Sequence, residues 1–367
     1  MAAAEQGLLA RLLRRGAGQP APGRAGSGRL VLHLGDFKTG STAIQSWLQT
    51  QGAAHGIATP AGFNQAALAQ GLTAPEAAAE ALWTAAAQNL AGKTAPHLVI
   101  SAEHFEMSPP DRLAAMLDRH LPDLARDARA IVYVRPHPGA YLARLAESVK
   151  IGSHMGSIAD YLDRPDIPRR MAYGTRLAAW AAAFGNRLTV RLYDPALLPG
   201  GDVVRDFAAW VTGTDPGPLP PAPDANRTPG LAGLARARAL HLAIGTLPAT
   251  AEGARHTLGR AWGRLLAAGP PGKADTALHL DQALALRLRD TFQAEAARAD
   301  ALFFRDAPLT GALDRALQQA PPDQQSLDPA AQLDPAVLAE IARTGALLRL
   351  GLLHLEGPVL IDRLWHE

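Results

Sequence analysis

Lys38 is the residue whose setting asks for chemistry. It lies in LHLGDFKTGSTAIQ (residues 32–45), between Gly35 and Gly40. That glycine spacing matches a nucleotide-hydrolysing phosphate loop, G-x-x-x-x-G-K-[ST], in which the lysine follows the second glycine. Here Ser41 holds that place and the lysine sits inside the loop. A glycine-bearing turn at a helix start aims several backbone N–H groups, backed by the helix dipole, at one point where an anion settles. Thr39, Ser41 and Thr42 add hydroxyls and Lys38 adds one mobile cation. Gly35 and Gly40 are expected to let the backbone approach the anion without Cβ clashes.

A second cation stands where a metal ligand would be needed. Magnesium-dependent hydrolysis of a nucleoside triphosphate uses a second strand that ends in an acidic residue. The candidate strand ARAIVYV (128–134) ends instead in Arg135, within RPHP. This disfavours triphosphate hydrolysis and favours a second anion site on the same sheet edge. An acceptor hydroxyl would need a base within hydrogen-bond reach. Glu103 and His104, directly after the strand HLVIS (97–101), are both chemically suited, and ordering of the loop by a Glu103–arginine pair is the competing role. His33, at a strand end, reads as a structural hydrogen bonder. His137 and His154 read as solvated loop residues in preference to lining of an acceptor pocket. Trp47 and Trp83 read as core or pocket wall. No His, Asp or Glu cluster has metal-ligand spacing, so no metal is expected.

The elements that must position these groups follow from the hydrophobic pattern. RLVLHL (29–34) is a short apolar run, HLVIS a buried-strand candidate, and ARAIVYV and LTVRLYD (188–194) read as further strands. Between them lie helical spacings: STAIQSWLQT (41–50), an Ala-rich stretch to about residue 92, DRLAAMLDRHL with a cap-like Ser108-Pro109-Pro110-Asp111, a helix to about Lys150, and DVVRDFAAWV. Alternating strands and helices predict an α/β fold, a parallel sheet covered on both faces. The segment 1–28 reads as a flexible leader, 29–230 as the α/β core, 231–319 as a helical part of the same domain, and 320–367 as a linker with a helical tail.

Composition narrows the classes. The 367 residues carry a formal charge of +2, so no broad nucleic-acid surface is implied. Lysine occurs only at positions 38, 93, 150 and 273, and cysteine is absent, which excludes disulfides and thiolate chemistry. No stretch approaches the roughly 20 apolar residues of a membrane span. The sequence reads as that of a cytoplasmic, bacterial-type protein.

The motifs resemble a family. GDFKTGSTAIQ is similar to the 5′-phosphosulfate loop of sulfotransferases, especially the bacterial and carbohydrate-type members, whose loop runs H-[IL]-G-x-x-K-[TG]-G-[ST]-T. VYVRPHPGAYLARL resembles their second strand–loop–helix element. ISAEHFEMSPPDRLAAML, VRLYDPALLPGGDVVRDFAAWV and ANRTPGLAGL resemble further elements in the same order, over roughly residues 29–240. The resemblance implies a three-layer P-loop-like fold with a C-terminal helical extension. It implies 3′-phosphoadenosine 5′-phosphosulfate (PAPS) as donor, adenosine 3′,5′-bisphosphate (PAP) as product, and a carbohydrate or small-metabolite acceptor. Asp36, Phe37, Lys38, Thr39, Gly40, Ser41 and Thr42 would hold the 5′ end, with Lys38 also catalytic beside Glu103 or His104. Arg135 would hold the 3′-phosphate. The family pattern has a serine eight residues further on; Ala143 stands there, so Arg144 or Ser148 would take its part. Arg227 either closes over the same phosphate or is an exposed loop residue. A P-loop kinase using ATP and a non-catalytic bisphosphate-binding protein are the alternatives.

Overall fold

A computed structural model describes residues 28–62, 64–219, 229–268 and 276–354. Five strands run β1 (Arg29–His33), β2 (Ile57–Ala58), β3 (His97–Ser101), β4 (Arg129–Val134) and β5 (Leu188–Leu192). Among and before the later strands lie helices α1 (Ser41–Thr50), α2 (Ala66–Gly71), α3 (Glu76–Ala91), α4 (Pro110–His120), α5 (Pro122–Ala125), α6 (His137–Lys150), α7 (Asp166–Arg170) and α8 (Tyr173–Phe184). After β5 come α9 (Val203–Thr212), α10 (Leu231–Ile244), α11 (Glu252–Ala268), α12 (Gln282–Phe303), α13 (Pro308–Gln319), α14 (Pro329–Gln332) and α15 (Pro335–His354). The chain divides into two compact units.

The first unit, from the described parts of 1–137, 170–221 and 292–312, holds the sheet. Its strand order is β2-β3-β1-β4-β5 and every pair is parallel. This is the P-loop-like α/β architecture, with helices flanking a central parallel sheet. β1, β3 and β4 are buried along nearly their whole length, which is why they read as continuous apolar runs instead of alternating ones. β1 lies between β3 and β4, so the chain order reverses at its C-terminal end, the position where open α/β sheets bind ligands. α1 and α9 pack on that sheet through Val31, Ile44, Trp47, Ile131, Val203 and Phe207.

Local chemistry explains the element ends. Asp202 caps α9 by accepting from the Val204 N–H at 2.8 Å. One turn inside, Asp206 is buried but satisfied: the Tyr133 hydroxyl donates to it at 2.6 Å and Arg191 at 2.5 Å. α4 opens with Pro110 after Pro109, not with the serine cap the sequence suggests. Ser108 instead donates its hydroxyl to the carbonyls of Ala69 and His104, tying α2 to the turn after β3. Strand β2 went unread because two residues give no periodicity.

The second unit comprises the described parts of 138–169, 222–291 and 313–367. It is helical, with a core that includes Leu240, Ile244, Leu258, Leu333, Ile341 and Leu352. α10 and α15 pack so closely that a Cβ at Gly345 would meet the Ala243 Cβ at 2.4 Å. Arg349 on α15 donates to the carbonyls of Ile244 and Thr246, satisfying the end of α10. Among the described residues no helix is long and apolar enough to cross a membrane.

Candidate functional site

The loop after β1 is an extension of the sheet that stops abruptly. Leu34 and Asp36 N–H groups donate to Ile131 and Tyr133 carbonyls at 2.9 and 3.1 Å, and Tyr133 N–H returns a bond to Gly35 at 3.0 Å. Then Lys38 (φ 65) and Gly40 (φ 81) take the left-handed region, and α1 begins. Gly40 is the N-cap and supplies no side-chain cap; the first α1 bond runs from Ile44 N–H to Gly40 at 3.1 Å. First-turn N–H groups have no acceptor within their own helix. No acidic residue lies in that turn. The helix start is therefore a positive pole open to an external anion.

The two glycines serve packing in this structure. A Cβ at Gly35 would lie 3.0 Å from the Glu103 carbonyl oxygen and 3.1 Å from its Cα. A Cβ at Gly40 would lie 2.6 Å from Val203 Cγ1 and 3.3 Å from Tyr193 Cε2. Each glycine lets another element press against the loop. This juxtaposition brings Glu103 and Tyr193 to the two ends of the Lys38 segment.

Asp36 faces inward. Its side chain is only 1% exposed, and its Oδ2 accepts from Arg176 Nη2 at 2.7 Å. Oδ1 accepts from the Phe37 N–H at 2.7 Å, which Glu106 Oε2 also approaches at 3.2 Å. The Asp36 carbonyl takes the Thr39 and Ser41 hydroxyls at 2.6 and 3.2 Å. Asp36, Phe37, Thr39 and Ser41 thus shape the loop with these groups. Thr42, one residue into α1, is exposed. Arg170 Nη1 lies 3.7 Å from Glu106 Oε1, so an arginine stands beside each of the two buried carboxylates.

Arg135 reaches the same region through Tyr193. The β4–β5 ladder continues to a Tyr193 N–H to Val134 bond of 2.7 Å, which sets Tyr193 beside the end of β4. The Arg135 guanidinium lies 4.8 Å from the Tyr193 ring centroid, over a ring that borders Gly40. Glu103 and His104 open the 3₁₀ turn Glu103–Met107 after β3; Glu103 is half-buried and His104 exposed. His33 is a buried hydrogen bonder, its Nδ1 2.8 Å from Ser101 Oγ, and burial lowers its pKa to about 3.

His137 is not a solvated loop residue. It opens α6 fully buried, between Tyr173 (4.4 Å) and Phe292 (5.0 Å), with Nε2 3.0 Å from the Met171 carbonyl. Desolvation lowers its pKa to about 4, so it is neutral at pH 7. His154 is buried too: Nε2 lies 2.8 Å from the Ser157 carbonyl and its ring meets Tyr161 edge-on. Arg144 and Ser148 belong to the second unit. There Ser148 Oγ is 3.0 Å from the Tyr161 hydroxyl, and burial raises the Tyr161 pKa against the opposing Ser148 bond and the charge of buried Arg144. Arg227 lies outside the described residues. Trp83 and Trp47 are core.

Sequence reasoning missed Tyr193, Arg176, Glu106 and Arg170. Arg176 meets partners 140 and 70 residues away, so no local pattern marks it. Tyr193 had one usable signal, an aromatic directly after a strand.

No protein-family model matches the chain, and no curated protein does. Among solved structures it is similar to a sulfotransferase from Alicyclobacillus acidocaldarius, with 14% identity and a TM-score of 0.46, over 76% of this chain and 97% of that one.

Proposed function

We propose that this protein is a sulfotransferase that uses PAPS as donor and a hydroxyl of a carbohydrate or other small metabolite as acceptor. The observation that carries the reading is a pair of cations at one sheet edge. Lys38 stands in the loop after β1, and Arg135 follows β4, where triphosphate hydrolysis would require a metal-binding carboxylate. Tyr193 links them, bordering Gly40 and lying under Arg135. The donor set suits a ligand with anionic groups at two places.

Bound there, PAPS supplies the sulfuryl group, and its transfer to the acceptor leaves PAP. The first-turn N–H groups of α1 and the Thr42 hydroxyl hold the 5′ oxygens. Lys38 offsets the charge that gathers on the departing phosphate, the role that pre-set donors fill at a developing oxyanion. Arg135 holds the 3′-phosphate. Glu103, whose backbone borders Gly35, takes the proton of the acceptor hydroxyl, and exposed His104 is its neighbour.

Calorimetric titration with PAP, with and without magnesium, tests this together with transfer of labelled sulfate to a panel of sugars and alcohols. Metal-independent binding and transfer are expected. Lys38→Ala should weaken binding by about 10- to 100-fold, the worth of one charge-assisted bond, and lower turnover further. A strict need for magnesium with ATP would replace the reading by a kinase. Binding with no transfer to any acceptor would leave a bisphosphate-binding protein. Lys38→Ala with affinity and turnover both intact would refute the loop chemistry.

A further inference from the structure

The first turn of α8 is bonded to the chain beyond three different strands. The Tyr173 hydroxyl donates to the Arg135 carbonyl, after β4, at 2.9 Å. One helical turn on, Arg176 Nη2 donates to Asp36 Oδ2, after β1, at 2.7 Å. Arg176 Nη1 donates to the Glu106 carbonyl, in the 3₁₀ turn after β3, at 2.9 Å. Residues i and i+3 lie on one face of a helix, so a single turn can hold all three. The turn itself is firmly seated. Thr175 N–H and hydroxyl donate to the Glu295 carboxylate, both at 2.7 Å, and a Cβ at Gly174 would lie 2.6 Å from Arg298 Cβ. The Tyr173 ring stacks near buried His137.

We infer that the Tyr173–Arg176 turn is the positioning element of the site. It sets the spacing between the Lys38 loop, the Glu103 turn and Arg135, and so selects ligands whose two anionic ends match that spacing. This rests on the reading of the site as one for a 3′,5′-bisphosphate nucleotide. Arg176 acts through Asp36, which orders the loop from both ends: its carboxylate takes the Phe37 N–H and its carbonyl takes the Thr39 and Ser41 hydroxyls. The Tyr173 hydroxyl bonds the Arg135 carbonyl, and the Tyr173 ring lies 5.5 Å from the Arg176 guanidinium. Loss of the hydroxyl alone keeps that ring in place, so the Arg135 bond can be tested apart from the Arg176 bonds.

The test uses full-length Tyr173→Phe, Arg176→Lys and Arg176→Ala, checked for folding by circular dichroism. It measures Kd for PAP and for adenosine 5′-phosphate, and hydrogen exchange of ligand-free amides in 35–42 and 103–107. Tyr173→Phe should weaken PAP by about 3- to 10-fold and leave adenosine 5′-phosphate within about twofold. Arg176→Ala should speed exchange in both segments and weaken both ligands by about 10- to 100-fold. Arg176→Lys should recover part of the affinity, since an ammonium can offset Asp36 but lacks the planar fork that also reaches the Glu106 carbonyl. Equal weakening of both ligands by Tyr173→Phe would overturn the selective role. Unchanged exchange in the Arg176 variants would overturn the positioning role. If Arg176→Ala does not fold, the other two variants decide. A wild-type protein that binds neither nucleotide would refute the functional reading, while exchange would still decide whether the turn orders the loop.

Discussion

Gly40→Ala separates two reasons for a glycine at the start of α1. The first is backbone: φ is 81°, and an L-residue held in the left-handed region costs about 1–2 kcal/mol. The second is space: the new Cβ would lie 2.6 Å from Val203 Cγ1 and 3.3 Å from Tyr193 Cε2. Val203 is β-branched and sits at the start of α9, so it has little rotamer freedom with which to retreat. Overpacking of that kind costs about 1–3 kcal/mol. Together the substitution should destabilise the first unit by about 2–5 kcal/mol. Val203→Ala should cost about 1.6 kcal/mol for its two buried methyl groups, and in that background Gly40→Ala should retain the backbone cost and the milder Tyr193 contact. The cycle should therefore show an interaction energy of about 1–3 kcal/mol that favours the double variant. Urea denaturation followed by tryptophan fluorescence reports this, because Trp47, Trp83, Trp180 and Trp210 all lie in the first unit. An identical cost for Gly40→Ala in both backgrounds would refute the packing argument. A cost below about 0.5 kcal/mol in the wild type would refute both arguments.

Acid should weaken the fold before its carboxylates titrate. His33, His137 and His241 are held neutral by burial, with pKa values lowered from 6.5 to about 3, 4 and 4. Below pH 6.5 the unfolded chain gains protons that the folded chain does not, so each contributes stability present above that pH and lost on acidification, at about 1.4 kcal/mol per pH unit. Urea midpoints at pH 7, 6 and 5 should fall steadily, and a flat profile would refute the burial argument. Tyr133→Phe removes the 2.6 Å bond to buried Asp206 and should cost about 1.5–3 kcal/mol by the same assay. A loss under about 0.5 kcal/mol would mean that Arg191 alone satisfies that carboxylate.

Much of the fold is legible locally. RLVLH, HLVIS and RAIVYV are apolar without interruption because both faces of a central parallel strand are buried, and STAIQSWLQT coincides with α1. LAGLARARALHLAI likewise coincides with α10. These signals are local because strand and helix periodicities are written in consecutive residues. Ser108 misled because a cap motif also suits a hydroxyl with better acceptors elsewhere. His137 and His154 misled because a histidine between prolines or glycines reads as loop, while its burial depends on residues such as Phe292 and Tyr161 that arrive from elsewhere in the chain.

Sequence alone determined that a glycine loop with an internal lysine joins a buried strand to a helix, and that an arginine ends another buried strand. Tertiary structure alone decided which charges of that region neutralise one another. Asp36 stands two residues from Lys38, yet it pairs with Arg176, 140 residues away. The glycines proved to be sites of close approach for Glu103, Tyr193 and Val203. A residue's type limits what it can bond, but its partners are set by which strand ends the sheet order brings together and which helix turn lies across them.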